Sequence, residues 1–243
     1  MKKNTIFLIF IIILAFIMAF VFLKATFKSK IVENTPVTEE PVSLCYIYAK
    51  ETPSKLFDKY WIRLDILGNK VSGEFDNIPA EKDSKTGDFE GTVGPVDQKE
   101  MARTADVWWN TFGEGITAKE QLLIKFGDGS ASPGAGELID RGDGVYVYKD
   151  KNNLFYNFSL SQISCEDLNE INFVEKYIRD NIKTIAINKP VLGGSWYVMS
   201  VQIIPSTKSG TVVYEDGHIQ SRATFNYELD DSYKNVIITD FKN

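Results

Sequence analysis

The chain has 243 residues, enough for one large domain or two small ones, and its 44% hydrophobic content excludes a disordered protein. Residues 1–30 contain five of the 27 basic residues and none of the 33 acidic ones, so the rest of the chain has a formal charge near −11. Because nucleic-acid binding requires clustered lysine and arginine side chains, this charge argues against a nucleic-acid partner.

The N-terminal segment, residues 1–24, is predicted to be a transmembrane anchor. Residues 6–23 form an unbroken apolar run, which as a helix would span about 27 Å, close to the hydrocarbon thickness of a bilayer. Lys2, Lys3 and Lys24 flank the run. A cleaved signal peptide is the alternative, but it usually has a shorter apolar region that ends at a small-x-small site. We therefore expect a single-pass membrane protein whose C-terminal body is extracytoplasmic.

The two cysteines, Cys45 and Cys165, frame the first predicted folded segment. A disulfide between them would clasp the first and last strands of that segment. Closing a loop of this length contributes about 4–5 kcal/mol in the chain-entropy model. Such a bond would place the body in an oxidising compartment. Two buried free thiols are the alternative.

The chain after the anchor is predicted to continue as a linker and then a β domain. Residues 25–42 are largely polar, contain two prolines and show no apolar period, as in a solvated spacer. In residues 43–168 apolar and polar residues alternate, most clearly at residues 60–66, as in strands with one buried face. Gly68-Asn69 supplies a tight reversal. Short strands at this spacing indicate an antiparallel meander that closes into a barrel or a sandwich.

Residues 169–243 are predicted to form one helix packed on an antiparallel sheet, so the chain as a whole is mainly β with a small α+β unit. Apolar residues recur at intervals of three and four up to Ile185, and Asp167 with Glu170 marks the expected helix start. In element order this unit resembles the cystatin-like or NTF2-like architecture, which hosts many functions. The strand candidates are residues 196–204, 210–214, 218–228 and 235–241, with a hairpin turn at Asp216-Gly217.

A second resemblance rests on particular strings of the β domain. Residues 79–92, with residues 105–106 and 113–115 downstream, resemble small exported bacterial β-proteins. Those proteins are often lipoproteins that open with Cys-Tyr, as residues 45–46 do here. The resemblance implies an exported β fold and no particular activity. This chain departs from the group because Leu44 is too bulky for the small residue that lipoprotein processing prefers.

The sequence predicts no catalytic residue, no cofactor and no metal site. His218 is the only histidine, and no triad or metal partner is evident for it. Six acidic residues cluster on predicted turns and strand faces. Solvated turns are the simplest interpretation of the cluster, and a weak calcium site or carboxylate catalysis are the alternatives. The cluster comprises Glu74, Asp76, Glu81, Asp83, Asp88 and Glu90.

Tryptophans supply the one binding feature that the sequence suggests. If the segment around Trp108 and Trp109 is a strand, their side chains point to opposite faces of the sheet, and Trp109 shares the core face with Val107. Trp108, with Trp61 on another mixed face, would form an exposed aromatic platform for a sugar or an apolar ligand. Packing under a loop or against the second unit is the alternative, and the commoner arrangement.

The sequence is compatible with three functions. The first, favoured by the anchor, the spacer and the missing catalytic groups, is a non-enzymatic module that binds an envelope protein or a glycan near the membrane. The second is a carrier whose barrel cavity takes an apolar small molecule. The third is a hydrolase that uses acidic residues such as Asp83, Asp88 and Glu90.

Overall fold

The computed structural model describes residues 40–230 and 235–243. The predicted anchor of residues 1–24 and nearly all of the predicted linker lie outside the described residues. Within the described part of the chain, no helix combines the length and the apolar character that a membrane crossing requires. The described residues all belong to one compact unit.

From Val42 to Ile163 the regular elements are all β-strands, in agreement with the period-two alternation of this part of the sequence. Long strands come first, and shorter ones follow after residue 127. They are β1 (Val42–Glu51), β2 (Phe57–Leu67), β3 (Lys70–Ile78), β4 (Lys85–Val93), β5 (Arg103–Gly113), β6 (Ile116–Gly127), β7 (Ser130–Pro133), β8 (Leu138–Asp140), β9 (Val145–Tyr148) and β10 (Leu160–Ile163).

Eight of these strands close into an antiparallel barrel. Strands β1 to β7 follow one another as a meander in which each strand pairs with the next. Strand β10 pairs with β7 on one side and with β1 on the other, which completes the wall. The prediction of a mainly β fold is therefore confirmed, and of the two architectures left open by the sequence the barrel is the one observed.

The hairpin of β8 and β9 replaces part of the barrel wall near one end. Strand β7 pairs only with residues 124–127 of β6, whereas β9 runs parallel to β6 beside Lys119 and Glu120. Strand β8 pairs with β9 and ends the sheet order, so no continuous ladder closes the wall next to it. The sequence predicted a pure meander, because alternation shows which face of a strand is buried but not which strand lies beside it.

The opposite end of the barrel is filled with apolar side chains. Alternation turns Ile62, Leu64 and Ile66 of β2 inward, and the first two are completely buried. The predicted reversal at Gly68 and Asn69 joins β2 to β3, and Gly68 adopts the positive φ of 64° that such a turn requires. This end of the barrel therefore leaves little room for a ligand.

Helix α1 (Cys165–Ile185) begins directly after the barrel. Ser164 caps it, because its Oγ accepts a hydrogen bond from the backbone N–H of Asp167 at 3.0 Å. The predicted start at Asp167 is therefore wrong, and that residue lies in the first turn, where its charge suits the helix dipole. The error arises because serine and aspartate are both good N-caps, so the residue types alone do not fix the first turn.

A separate four-stranded antiparallel sheet follows the helix, with its strands in sequence order. The loop between its second and third strands, residues 216–219, is longer than the predicted turn, since Glu215 pairs with Gln220. The Asp216 carboxylate accepts the backbone N–H of His218 at 2.9 Å and so fixes this loop. The elements are β11 (Tyr197–Ile204), the 3-10 helix Pro205–Thr207, β12 (Ser209–Glu215), β13 (Gln220–Leu229) and β14 (Val236–Lys242).

Helix α1 lies between the outer wall of the barrel and this sheet. On the barrel side, Leu168 packs with Cys45 and Trp61. On the sheet side, one apolar stripe at helical spacing is buried, as the sequence predicted. That stripe consists of Ile171, Val174, Ile178 and Ile182.

The hairpin between β1 and β2 makes a second connection to the sheet. The backbone N–H of Phe57 donates to Ser200 Oγ at 3.2 Å. Arg222 of β13 donates to the carbonyl oxygen of Lys55 at 3.0 Å and pairs with Glu51. Residues of the two predicted domains, 43–168 and 169–243, are thus joined by both polar and apolar contacts.

Candidate ligand-binding site

One end of the barrel opens into two adjoining cavities. The outer cavity, of about 850 Å³, lies at the mouth, and the inner cavity, of about 380 Å³, lies below it. The two cavities share lining residues and therefore form one continuous depression. The shared residues are Tyr60, Asn77, Lys85, Glu120 and Leu138.

Aromatic rings form much of the wall of the inner cavity. Tyr60 and Phe158 meet edge to face with their centroids 4.4 Å apart, and Phe75 lies 4.8 Å from Trp109. The inner cavity is lined by these four rings together with Tyr148. Such contacts hold each ring against its neighbour, so the wall is largely formed before any ligand arrives.

The polar atoms of two of these aromatic residues already have partners. The Trp109 indole N–H donates to the carbonyl oxygen of Gly87 at 3.0 Å. The Tyr148 hydroxyl donates to the carbonyl oxygen of Gly134 at 2.6 Å, and burial raises the pKa of Tyr148 to about 12. Burial also raises the pKa of Tyr60, with a further contribution from Asp58. The tyrosines are therefore neutral at physiological pH, and the cavity wall is mainly apolar.

Strand alternation explains how these residues reach the cavity. In β5 the inward positions run from Ala105 through Val107 and Trp109 to Thr111, so one strand supplies both the filled core and the cavity wall. The prediction that Trp109 belongs to the core is confirmed, since it is buried. It lies where the filled interior gives way to the cavity.

One ion pair, between Lys85 and Glu120, lines the inner cavity. Lys85 Nζ donates to Glu120 Oε1 at 2.5 Å, across the mouth from β4 to β6. The Glu120 side chain is 11% exposed and that of Lys85 is 46% exposed. Among the described residues that line the inner cavity, these two are the only charged ones. The site therefore combines an aromatic wall with one buried carboxylate and one partly exposed ammonium group.

Lys85 and Glu120 were not identified as site residues from the sequence. Glu120 occupies an inward position of β6, two residues before buried Leu122, and a charged residue on an inward phase is the signal that would have identified it. Its partner is 35 positions away in the chain, and only the barrel brings the two together. Tyr60 was recognised as a strand residue, but its place at the mouth depends on barrel closure.

The predicted acidic cluster does not assemble into one site. Asp83 lines the outer cavity, whereas Glu74 and Asp88 lie opposite one another on the outer surface of the barrel. Burial and the neighbouring Asp88 raise the pKa of Glu74. Asp76 lies within β3 and is half-buried, so it is not part of a solvated turn as predicted, and burial raises its pKa to about 6.

Neither a metal centre nor a histidine site is found in the part of the chain that the structure describes. No three His, Cys, Asp or Glu side chains there come together as a metal site would require. His218 is exposed, in the loop between β12 and β13, and its backbone N–H bonds Asp216.

The predicted tryptophan platform does not form. Trp61 is only 6% exposed, because helix α1 covers it through Leu168, so the alternative of packing against the second unit is the one observed. Trp108 lies on the outer wall, where the charged ends of Lys119 and Arg141 approach its ring to about 6 Å. The two tryptophans are on β2 and β5, which β3 and β4 separate.

Cys45 and Cys165 are joined by a disulfide. The bond connects the first strand of the barrel to the first residue of helix α1, and not to the last strand as the clasp predicted from sequence would. Cys45 lies opposite Ile163 in the pairing of β1 with β10, so the disulfide lies at the point where the chain leaves the barrel. It fixes the helix start against the barrel wall.

No protein-family model, curated protein or solved structure matches this chain. The resemblances noted above to exported bacterial β-proteins and to the cystatin-like architecture therefore gain no support from relatives. Fold and site define the chain as a closed eight-stranded β-barrel with one open, aromatic-lined end and a helix-and-sheet unit packed on its outer wall.

Proposed function

We propose that this protein binds a small, largely apolar molecule in the open end of its barrel. The main support for this proposal is the continuous depression at the barrel mouth, whose inner part is lined by aromatic rings. Concave, mainly apolar sites with a few placed polar groups are the usual form of small-molecule sites, and the mouths of β-barrels are one of their common locations. The ion pair of Lys85 and Glu120 supplies the placed polar groups here.

Other functions open from the sequence receive less support. The envelope-binding module was inferred from the anchor, the spacer and the missing catalytic groups. The one candidate binding surface in the sequence, the platform of Trp61 and Trp108, is not available because Trp61 is buried.

A hydrolase of the glycosidase type needs two carboxylates across a cleft. Asp83 and Glu114 line only the outer cavity. Glu120, the one carboxylate among the described residues that line the inner cavity, is paired with Lys85. Binding without chemistry is therefore the function that this geometry favours.

We further propose that the barrel is held outside the cytoplasm on a membrane anchor. The apolar run of residues 6–23 and the lysines around it support an anchor, and the disulfide suits an oxidising compartment. Protease added to intact cells should then degrade the body, and membrane extraction should be needed to release the full chain. A body protected from the protease would contradict this arrangement.

The binding proposal is tested with a neutral probe whose fluorescence rises in apolar surroundings, such as N-phenylnaphthylamine. Ala118 faces the outer cavity from β6, and Ala118→Trp would fill the mouth. Its neighbour Thr117 is exposed on the other face of the same strand, so Thr117→Trp is a matched control. We expect saturable binding by the full-length protein and by the control, and a loss of at least tenfold in affinity for Ala118→Trp. Equal binding by all three, or no saturable binding, would overturn the proposal.

A further inference from the structure

The ion pair in the cavity is asymmetric, and its asymmetry indicates the charge of the ligand. Glu120 is almost buried, and Lys85 is its one salt-bridge partner among the described residues. Lys85 reaches Glu120 from the mouth, where nearly half of its side chain is exposed. The ammonium group of Lys85 can therefore return to water at small cost, whereas the Glu120 carboxylate cannot.

We propose that the cavity selects an organic cation with an apolar or aromatic body, whose charged group takes the place of the Lys85 ammonium at Glu120. This inference rests on the proposed function and adds the class of ligand. An anionic ligand at Lys85 would have to separate it from Glu120 and leave that carboxylate buried without its cation. A cationic ligand leaves no buried charge unpaired, because Lys85 swings into solvent.

The surrounding rings favour the same class of ligand. Trp109 lies directly opposite Glu120 in the pairing of β5 with β6, and side chains so placed are neighbours on one face. Tyr60 and Tyr148 line the same cavity. A cation held at Glu120 would lie beside Trp109, and tryptophan attracts cations more strongly than the other aromatic residues. The Lys85 ammonium then occupies the position that the charged group of the ligand would take.

Three probes of nearly equal shape test the inference on the full-length protein. They are phenylpropyl-trimethylammonium, its neutral analogue with carbon in place of nitrogen, and phenylbutanoate. We expect the cation to bind at least tenfold more tightly than either of the others. Glu120→Gln should remove this preference, whereas Glu114→Gln, a change at the exposed rim of the outer cavity, should leave it intact.

Lys85→Gln should change the affinity for a cationic ligand and for an anionic ligand in opposite directions, and so distinguishes the two. Removing the competing ammonium should tighten cation binding several-fold, whereas an anion site would lose affinity on the same change. If the cation has no advantage over its neutral analogue, or if Lys85→Gln strengthens no cation binding, the inference is wrong although the cavity still binds ligands. If none of the three probes binds and the neutral fluorescent probe does not bind either, the proposed function itself fails. The wild-type preference and the Lys85 variant decide the matter even if Glu120→Gln does not fold.

Discussion

Lys59 on the outer wall of the barrel donates a hydrogen bond from Nζ to Glu175 Oε2 on helix α1, and both side chains are only 8% exposed. Arg179 reaches the other oxygen of the same carboxylate at 2.8 Å. Burial alone would raise the pKa of Glu175, but Lys59 and Arg179 together hold it below its usual value. Lys59 thus joins the barrel to helix α1 through the buried Glu175 carboxylate, which accepts hydrogen bonds from both Lys59 and Arg179.

Glu175→Gln should lower the free energy of unfolding by about 3–5 kcal/mol, because it leaves the Lys59 ammonium buried without its counter-charge. Urea unfolding of the full-length protein measures this change. Lys176 and Asp180 form an exposed pair on the same helix, so Asp180→Asn is the control and should cost less than about 1 kcal/mol. Equal effects of the two substitutions would show that the buried pair does not hold the interface.

Replacing both partners should be much milder than replacing one. In the double variant Lys59→Met with Glu175→Leu, two apolar side chains fill the site. The remaining cation, Arg179, is partly exposed and still donates to the carbonyl oxygen of Val198. We expect the double variant to recover most of the stability that the single variant loses. A double-mutant cycle at several urea concentrations tests this, and additive losses would contradict it.

Asp76 should make the protein less stable as the pH rises through the mildly acidic range. Its carboxyl has an ordinary pKa of 3.8, which burial raises to about 6 in the folded protein although Lys59 opposes the rise. The folded state therefore binds this proton more tightly than the unfolded chain, and the free energy of unfolding falls as the pH rises from 3.8 through about 6. Glu175 acts in the opposite direction and at lower pH, since its pKa is lowered below 4.5 and its contribution is lost only on acidification.

Asp76→Asn should raise the free energy of unfolding at pH 8 by about 1–2 kcal/mol and change it little at pH 4, since the side chain keeps some contact with water. Urea unfolding across this pH range is the measurement. Asp83→Asn, on an exposed loop, is the control and should change stability by less than about 0.5 kcal/mol at either pH. A variant that is less stable than wild type at pH 8 would show that Asp76 is charged and well paired.

The disulfide closes a loop with a sequence separation of 120 between Cys45 and Cys165. Replacing both cysteines by alanine should lower the free energy of unfolding by about 4–5 kcal/mol, because the unfolded chain regains the freedom that the cross-link removes. Reduction of the wild-type protein should have a similar effect. If the oxidised and reduced forms unfold at the same urea concentration, the bond does not stabilise this fold.

Local features of this fold could be predicted from the sequence. Alternation identified the strand at residues 60–66, the pair Gly68-Asn69 located the turn between β2 and β3, and the spacing of apolar residues located the long helix. These features depend on neighbours within a few positions. The same is true of Trp109, whose inward phase follows from Val107.

Most features that depend on distant partners could not be predicted; the disulfide is the exception, because the chain has only two cysteines. Closure through β10, the parallel pairing of β6 with β9, and the ion pair of Lys85 with Glu120 all join residues far apart in the chain. Trp61 illustrates the same limit, because its mixed strand face is buried only by a helix that begins about a hundred residues later. A barrel cavity was one of the functions left open by the sequence, but the residues that line it were not identified, since the cavity is formed where several strand ends meet.

The most direct test of a ligand site at the barrel mouth is an NMR measurement of contacts between the neutral fluorescent probe and methyl-labelled full-length protein. We expect intermolecular contacts with the methyl groups of Leu122 and Leu138, which line the inner cavity. Leu192 is 88% exposed and lies outside the barrel, so it serves as the internal reference for nonspecific adhesion. Contacts with Leu192 and none with Leu122 or Leu138 would contradict the account.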